Sequence, residues 1–335
     1  MWVLSMSRIR RPALAEWRDW DWEDYLAYFL SVDAAKKRAQ RKERSVLSFL
    51  KSKDFYAFCE PIRQRLEAKF GGHSPLVSIQ LPARNEEIEL LATLVSYTLL
   101  DVENGLAEII VADNASTDGT QEVIRACGAK YAFAPEPGMG KARRAAYEAM
   151  SPSAQYVWLT DCDARTISPL NRKIDIARVS TILRTNLTCM FARSDVIALS
   201  TGIVYEWTHP LFRLLRAIAV ATGRAPGIHC WTGPNQFVRR SALDAIGGIH
   251  PDIPYRSRED HQRVYELARY AKTIKANMLA AGDNPDLIDP VYHSGRRRGT
   301  LRDIFTLIKK GRHRPQLPKD KYGFPVHPLD RLRAG

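Results

Sequence analysis

Two carboxylates separated by one residue follow an apolar run, and this arrangement can hold an anionic ligand through a cation. Asp161 and Asp163 come directly after Tyr156–Thr160, a stretch without a charge. Such a run predicts a strand buried on both faces. Because open α/β sheets bind ligands at the carboxyl ends of their strands, the two acids predict a site for a divalent cation and a phosphorylated ligand. A polar turn that merely ends the strand is the alternative.

Two earlier predicted strands also end in polar residues. Val77–Ala83 runs into Arg84 and Glu86, and Ala107–Asp113 runs into the segment NASTDGT. Parallel strands would bring these ends to the same rim as Asp161. Asp113 is a candidate acceptor for a hydrogen bond from a base or a ribose. The alternative is that NASTDGT is only a helix N-cap, since Ser, Thr and Asp are all good caps.

A glycine-flanked basic loop, Gly138–Arg144, leads into a predicted helix and forms a natural cradle for an anion. It is not a dinucleotide fingerprint, because Arg143 occupies the position of the third glycine. It is not a Walker A loop either, because Ala142 follows Lys141. Lys141 and Arg143 are the candidate anion-binding residues, and ordinary surface positions on a helix are the alternative for Lys141.

The composition is that of an ordinary globular protein with basic ends. Of 335 residues, 45% are hydrophobic and 26% are charged, and the formal net charge is +13. Residues 1–70 carry +5 and residues 293–335 carry +9, whereas the region between them carries −1. Without a nucleic-acid-binding motif, this charge favours an anionic membrane surface or a polyanionic acceptor over nucleic acid.

The cysteines and the apolar runs indicate the cellular compartment of the protein. Five scattered cysteines lack metal-ligand spacing, which indicates a reducing compartment and argues against a zinc site. No run approaches the ~18 apolar residues of a membrane span, and the first residues lack a secretory h-region. We therefore expect a cytoplasmic protein, with peripheral attachment to the inner face of the membrane as a second option.

The element pattern predicts an α/β protein with additions at both ends. Residues 1–74 form a helical N-terminal extension that ends at the breaker cluster Gly71–Pro75, residues 75–300 form the main domain, and residues 301–335 form a basic C-terminal helix and tail. The aromatic cluster at residues 17–29 either lies on a membrane surface or packs on its own domain, and packing is favoured.

Within the main domain, strands and helices alternate and predict a mostly parallel sheet with helices on both faces. The first half is residues 75–166, with helices at 86–100, 119–127 and 141–150 and a further strand at 129–134. The second half is residues 167–300, with helices at 170–183, 208–221, 241–246 and 259–270, and extended segments at 187–192, 229–239, 273–278 and 287–292.

Four segments in order, LPARNE, VADNASTDGT, GMGKARRAA and WLTDCDA, resemble the donor half of a family 2 glycosyltransferase with the GT-A, Rossmann-like fold. The segment GPNQFVRRSALDAIGGI at 233–249 resembles the family's acceptor side. Residues 257–260 resemble its Glu-Asp motif, and SGRRRG at 294–299 is similar to an arginine-rich closing segment. The resemblance covers residues 76–300. Two departures are Arg84, where many relatives carry Tyr, and Ala112, which replaces a frequent Asp.

The resemblance implies roles for individual residues. It implies donor binding by Pro82, Arg84, Glu86, Asp113, Lys141, Arg143, Asp161 and Asp163. It implies acceptor binding by Trp231, Gly233, Asn235 and Glu259. Asp260 would be the catalytic base, Asp163 and His293 would hold Mn²⁺ or Mg²⁺, and Arg296 and Arg297 would form a lid. Ordinary alternatives stay open: a core position for Trp231, a loop histidine for His293, a solvated basic run for the arginines and an acidic first helical turn for residues 259–260.

The implied activity is inverting transfer of a hexosyl-type sugar from a nucleotide-diphosphate donor, with UDP as the default, to a glycan or lipid-linked acceptor in cell-envelope polysaccharide biosynthesis. A single in-line displacement needs a base such as Asp260 rather than a protein nucleophile. One alternative is a nucleotidyltransferase, which would show a glycine-rich basic loop directly after the first strand. Another is a non-catalytic nucleotide-sugar-binding protein.

Overall fold

The structure, a computed structural model, describes most of the first half of the chain and parts of the second. The described residues are 11–167, 180–201, 203–205, 211, 214, 218, 235–252, 259–280 and 291–293. No helix in these ranges is long and apolar enough to cross a membrane. The cysteines in these ranges are free thiols.

Helices precede the first strand. A 3-10 helix covers Leu14–Asp19, followed by α1 (Trp22–Leu30), α2 (Val32–Ala39), α3 (Val46–Phe49) and α4 (Ser52–Phe70). Asp21 and Asp24 form a capping box at the start of α1, in which each side chain accepts from the other residue's backbone N–H. In α4 the apolar residues recur at helical spacing and bury one face.

Strands and helices then alternate as far as the Asp-Cys-Asp segment. The elements are β1 (Val77–Ala83), α5 (Glu87–Tyr97), β2 (Ala107–Asp113), α6 (Thr120–Cys127), β3 (Lys130–Phe133), α7 (Met139–Glu148), β4 (Tyr156–Thr160) and β5 (Ala164–Arg165). Every residue of β1, β2 and β4 is buried, as their continuous apolar character predicts.

The second half contributes shorter elements. These are α8 (Ile182–Ala192), β6 (Val196–Ser200), β7 (Ile203–Tyr205), β8 (Asn235–Arg239), α9 (Arg240–Ala245), α10 (Glu259–Thr273), β9 (Asn277–Ala280) and β10 (Val291–His293). After α9, Gly247 and Gly248 adopt φ of +83° and +76°, which glycine accepts without strain and which ends the helix.

The strands form a seven-stranded sheet in the order β3-β2-β1-β4-β8-β6-β9 and a three-stranded sheet in the order β5-β10-β7. In the larger sheet, β8 is antiparallel to both of its neighbours, and the other described pairings are parallel. The mostly parallel α/β fold predicted from the sequence is confirmed.

Helices cover both faces of the large sheet and enclose two apolar clusters. One cluster contains the buried side chains of α1, α4, α5, α6 and α8. The other contains those of α7, α9 and α10. The N-terminal helices therefore share a core with the sheet. Trp17, Tyr25, Tyr28 and Phe29 are buried in it, so the aromatic cluster packs on its own domain.

The element predictions hold closely up to residue 166 and less well beyond it. The strand expected at 187–192 is wrong, because α8 occupies these residues and buries Leu183, Leu187 and Met190 at helical spacing. The strand follows instead at Val196–Ser200. The segment 273–278 is also mostly not a strand, since α10 runs to Thr273 and β9 begins at Asn277.

Several other predicted elements are described only in part. Leu211, Leu214 and Ile218 are helical, as the prediction for 208–221 requires, and the intervening residues lie outside the described ranges. The described ranges also leave out most of the helix predicted at 170–183, residues 229–234 and the tail from residue 301.

Phe58 on α4 offers a test of the shared core. Its ring contacts those of Trp17, Trp20, Tyr25 and Phe29. We expect Phe58→Ala to lower the free energy of unfolding by about 3–5 kcal/mol through the lost burial and the cavity. Urea unfolding followed by far-UV circular dichroism measures the change. Tyr56→Ala, at an exposed position of the same helix, should stay within about 0.5 kcal/mol. A separate early transition for the N-terminal helices in the wild type would contradict the shared core.

Candidate active site

The carboxyl ends of the parallel strands form one rim of the large sheet. Ala83, the last residue of β1, lies opposite Asp113, the last residue of β2. β4 pairs with β1 on its other side and ends at Thr160, just before Asp161. Because β8 runs in the opposite direction, its first residue, Asn235, lies opposite Thr160. The start of β8 therefore joins this rim.

Arg143 forms a nearly buried ion pair with Asp161 at the centre of the rim. Its side chain extends from α7, is only 1% exposed, and donates from Nη2 to Asp161 Oδ1 at 2.7 Å. Its Nη1 donates to the carbonyl oxygen of Thr160 at 3.2 Å. Such charge-assisted bonds are strong because little water screens them. The structure thus brings together two of the residues predicted to bind the donor.

One polar face of α5 holds the backbone around Asp163. The hydrogen bonds run from Thr93 Oγ1 to Cys162 O at 2.7 Å, from Tyr97 Oη to Ala164 O at 3.4 Å, and from Thr166 N to Ser96 Oγ at 3.4 Å. Burial raises the pKa of Tyr97 far above its ordinary value, so the phenol stays protonated and donates. The segment that carries Asp163 is therefore fixed from one side by a single helix.

Asp163 and His293 lie near each other along the small sheet. Asp163 is 4% exposed, and its neighbour Ala164 pairs with His293 across the antiparallel β5–β10 ladder. Carboxylate and imidazole are suitable ligands for Mn²⁺. Among the described residues, no group of three His, Cys, Asp or Glu side chains is arranged to hold a metal. Mg²⁺ in proteins is usually held by one or two carboxylates together with phosphate oxygens of the substrate.

Asp113 is fully buried, and both of its carboxylate oxygens accept hydrogen bonds within the protein. Oδ1 accepts from the backbone N–H of Ser116 at 3.1 Å, and Oδ2 accepts from Gln121 Nε2 at 2.8 Å and from the Tyr131 hydroxyl at 3.4 Å. Partial burial and the Asp113 charge raise the pKa of Tyr131, so its hydroxyl remains a donor. In this arrangement Asp113 links β2 to α6 and β3.

Two asparagines fix the loops of the rim. Asn85, at φ +54°, accepts the backbone N–H of Thr117 at 2.7 Å and so joins the loop after β1 to the loop after β2. Asn114 donates to the carbonyl oxygens of Ala134 at 3.2 Å and Glu136 at 2.6 Å, and accepts the N–H of Gly138 at 2.7 Å. It thereby determines the position of the loop that enters α7.

The glycine-flanked loop connects the two halves of the chain. A Cβ on Gly140 would lie 2.6 Å from the carbonyl oxygen of His250 and 2.8 Å from that of Pro251, so only glycine allows this close backbone contact. Lys141 forms an ion pair with Glu136 in the same loop.

Asn235 is buried, and its side chain is used within the protein. Its Oδ1 accepts from Trp158 Nε1 at 2.8 Å, and its Nδ2 donates to Thr201 Oγ1. Both ends of the amide thus form hydrogen bonds within the protein, one to β4 and one to the residue just after β6. These contacts give Asn235 a structural part at the start of β8, and its contact with an acceptor stays a prediction.

Glu259 and Asp260 begin α10, and the structure describes their backbone. One turn later Arg263, which is buried, donates from Nε to Gln236 Oε1 at 2.9 Å. Gln236 lies opposite Leu159 in the β4–β8 ladder. Leu159 precedes Asp161 by two residues in the chain. This contact holds the first turns of α10 against the sheet near the rim.

The remaining predicted residues divide into those that the structure describes and those that it does not. Pro82 is buried in β1, Arg84 is exposed just after it, and Glu86 is half-buried with its N–H donated to Thr120 Oγ1 at 2.8 Å. Trp231, Gly233, Arg296 and Arg297 lie outside the described residues.

The sequence of residues 78–166 matches the family model described as "Glycosyl transferase family 2". This segment is therefore similar to that family. The match covers the elements from β1 to β5 and includes the rim acids Asp113, Asp161 and Asp163, which confirms the family resemblance of the four sequence segments. No curated protein matches the chain.

The chain is also similar, at low sequence identity, to solved structures of glycosyltransferases. A mannosyltransferase from Pyrobaculum calidifontis, in complex with GDP-Man and Mn²⁺, is 17% identical with a TM-score of 0.46, over 86% of this chain and 77% of its own. Glucosyl-3-phosphoglycerate synthase from Mycobacterium tuberculosis, in complex with Mn²⁺, UDP and phosphoglyceric acid, is 18% identical with a TM-score of 0.43, over 75% of this chain and 78% of its own.

Sequence reasoning missed the residues that position this family 2 segment. Asn114, Thr93 and Tyr97 contact backbone far away in the chain, and their residue types alone do not indicate such contacts. Asn85 gave a signal that could have been used, because asparagine in the loop after a strand is enriched at positive φ.

Asn114→Ala tests the anchoring of the loop before α7. The substitution removes two donated hydrogen bonds and one accepted hydrogen bond, which are buried or partly buried, so we expect a loss of about 1–3 kcal/mol in unfolding free energy. The Gly138 amide should exchange with deuterium faster than in the wild type. Asn104→Ala, at an exposed turn position, serves as the matched control. Unchanged exchange at Gly138 in a folded Asn114→Ala protein would contradict the anchoring role.

Proposed function

We propose that this protein is an inverting, metal-assisted glycosyltransferase that moves a sugar from a nucleotide-diphosphate donor, UDP by default, to an acceptor hydroxyl. The observation that carries the proposal is the Arg143–Asp161 ion pair beside Asp163 at the end of β4, within a family 2 segment. A cation and two acids at the carboxyl end of a parallel sheet suit a sugar diphosphate and its counterion.

The donor would lie along the rim from β2 to β4. Asp161 would accept from the ribose while Arg143 orients it, and the N-terminus of α7 with Lys141 would face the diphosphate. Asp113 is the proposed contact for the base. Because it already accepts from Gln121 and Tyr131, base binding would use its remaining lone pairs or displace one of these donors.

Mn²⁺ or Mg²⁺ fits the acids at this rim. Asp163 would hold the ion, with His293 as a second ligand from the neighbouring strand and the donor's phosphate oxygens completing the set. When bound, the ion would stabilise the negative charge that develops on the leaving diphosphate. Arg143, Arg296 and Arg297 would add positive charge at the same place, the last two from the proposed lid.

Asp260 is the proposed general base. In an inverting transfer the acceptor hydroxyl attacks the anomeric carbon from the face opposite the leaving diphosphate, and a carboxylate must take its proton. The start of α10 near the rim supports this role, since Arg263 anchors that helix to Gln236 beside β4. Glu259, with Trp231 and Gly233 before β8, would contact the acceptor.

The acceptor is proposed to be a glycan or a lipid-linked saccharide of the cell envelope, reached from the cytoplasm. Part of the basic charge proposed to contact a membrane surface is exposed in the described region, at Lys42, Arg44, Lys51 and Lys53. The C-terminal part lies outside it. Attachment to a membrane stays a prediction.

A thermal-shift panel of nucleotide sugars with and without Mn²⁺ tests donor binding. A donor at 100 times its Kd should stabilise the wild type by about 2.7 kcal/mol, and only with the metal. Asp163→Asn should abolish the metal-dependent part, because the main protein ligand is lost.

The control for this panel is Asp195→Asn, an exposed acid next to the start of β6 that pairs with Arg193. It should respond as the wild type does. Stabilisation that is equal with and without metal would contradict the metal-assisted proposal.

Asp260→Asn tests the base. The amide cannot take the proton, so transfer should fall by about 10²–10⁴-fold while donor binding in the thermal-shift panel is preserved. Glu266→Gln, on the same helix, is the matched control and should retain activity. Turnover at the wild-type rate in the Asp260→Asn protein would refute the assignment of the base.

Assays of product release and of donor binding separate the alternative functions. A nucleotidyltransferase would release pyrophosphate from a nucleoside triphosphate and a sugar phosphate, and a non-catalytic binding protein would bind the donor without transfer to any acceptor or to water.

A further inference from the structure

Glu89, on the first turns of α5, is a buried carboxylate that forms ion pairs with two arginines. Arg165 donates from Nη2 to Glu89 Oε2, and both side chains are almost completely buried. Arg38 approaches the same oxygen with its Nε at 3.6 Å, and its side chain is also buried. A carboxylate in such surroundings is stable only with its cations in place.

The two arginines come from different parts of the chain. Arg165 follows Asp163 by two residues, and its Nη1 lies 3.5 Å from the carbonyl oxygen of Asp163. Arg38 belongs to α2 in the N-terminal helices, and its Nη1 donates to the carbonyl oxygen of Phe29 at the end of α1, at 2.5 Å. Glu89 therefore joins the N-terminal helices to the segment that contains Asp163.

A second carboxylate of α5 binds the same N-terminal region. Glu87 Oε1 accepts from Ser45 Oγ at 2.6 Å and from the backbone N–H of Leu47 at 3.2 Å. The start of α5 is thus held at two points by residues that precede β1. Since α5 also holds the carbonyl oxygens of Cys162 and Ala164, its position determines where the Asp163 backbone lies.

We propose that Arg38 is a positioning residue for the metal and diphosphate site, acting through Glu89 and Arg165 on the backbone of Asp163. This inference rests on the proposed function, because it assigns Asp163 to the metal. It gives the N-terminal helices a part in donor binding beyond their burial in the core.

The physical reason is the low dielectric around the three charges. With Arg38 present, Glu89 is held between two cations, and Arg165 has a fixed partner that keeps β5 against α5. Without Arg38, Glu89 keeps one cation in a site that excludes water. The carboxylate and Arg165 would then shift to find further donors, and the strand that starts at Ala164 would shift with them.

The test compares Arg38→Met with Arg18→Met in the full-length protein. Both variants remove one guanidinium from the N-terminal helices, but Arg18 pairs with Asp54 at an exposed position. One measurement is the Kd for the nucleoside diphosphate that binds the wild type with Mn²⁺, by calorimetry. The other is deuterium exchange of the backbone amides of residues 162–166.

In Arg38→Met we expect a Kd raised by about tenfold or more, as for other groups that orient a metal ligand, together with faster exchange at residues 162–166. Arg18→Met should match the wild type in both. A folded Arg38→Met protein with wild-type affinity and exchange would overturn the proposal. Absence of metal-dependent binding in the wild type would instead refute the proposed function.

Arg38→Lys keeps the test decisive if the methionine variant does not fold. Lysine retains the charge near Glu89 but replaces the guanidinium that also bonds Phe29, so we expect an intermediate Kd and intermediate exchange. Wild-type values for Arg38→Lys beside an unfolded Arg38→Met protein would mean that Arg38 acts only on stability, and would overturn the proposal.

Discussion

The structure depends on the requirement that a carboxylate removed from water keeps a cation or several hydrogen-bond donors beside it. Asp161 has Arg143, Glu89 has Arg165 and Arg38, and Glu108 on β2 receives Lys130 and the hydroxyl and N–H of Ser151. In each case the partner lies on another element. The buried acids therefore specify which helices and strands lie together, in addition to the apolar contacts between them.

The same requirement organises the rim. Loops after β1 and β2 carry few apolar residues, so packing alone cannot fix them. Instead their backbone groups bond to asparagine, serine and threonine side chains from the neighbouring loop, including Asn85 with Thr117 and Thr120 with Glu86. Hydrogen bonds of this kind hold the loops in place, and groups that are already in place bind a charged molecule with little reorganisation.

The sequence allowed the first half of the sheet to be predicted almost residue by residue. β1, β2 and β4 are buried at every position, and each is followed directly by a polar residue, so the sequence pattern indicates both the strands and their ends. α8 was harder to predict, because the short segment Ile182–Ala192 mixes apolar and polar residues in a way that suits either period.

Partners distant in the chain were not predictable in this way. Arg38, Glu89 and Arg165 are ordinary charged residues in the sequence, and their meeting depends on how α2 and β5 pack against α5. The engagement of Asn235 between Trp158 and Thr201 is of the same kind. The chemistry at the rim could thus be read from residue types, whereas the contacts that hold it required the packed structure.

The reversed direction of β8 has an evolutionary consequence. Its first residue, Asn235, lies at the rim opposite Thr160, while β1 keeps its parallel pairings with β2 and β4. The second half of the chain therefore reaches the rim without interrupting those pairings. Sequence change at the start of β8 can alter this part of the rim, while the half that carries Asp161 and Asp163 keeps its register.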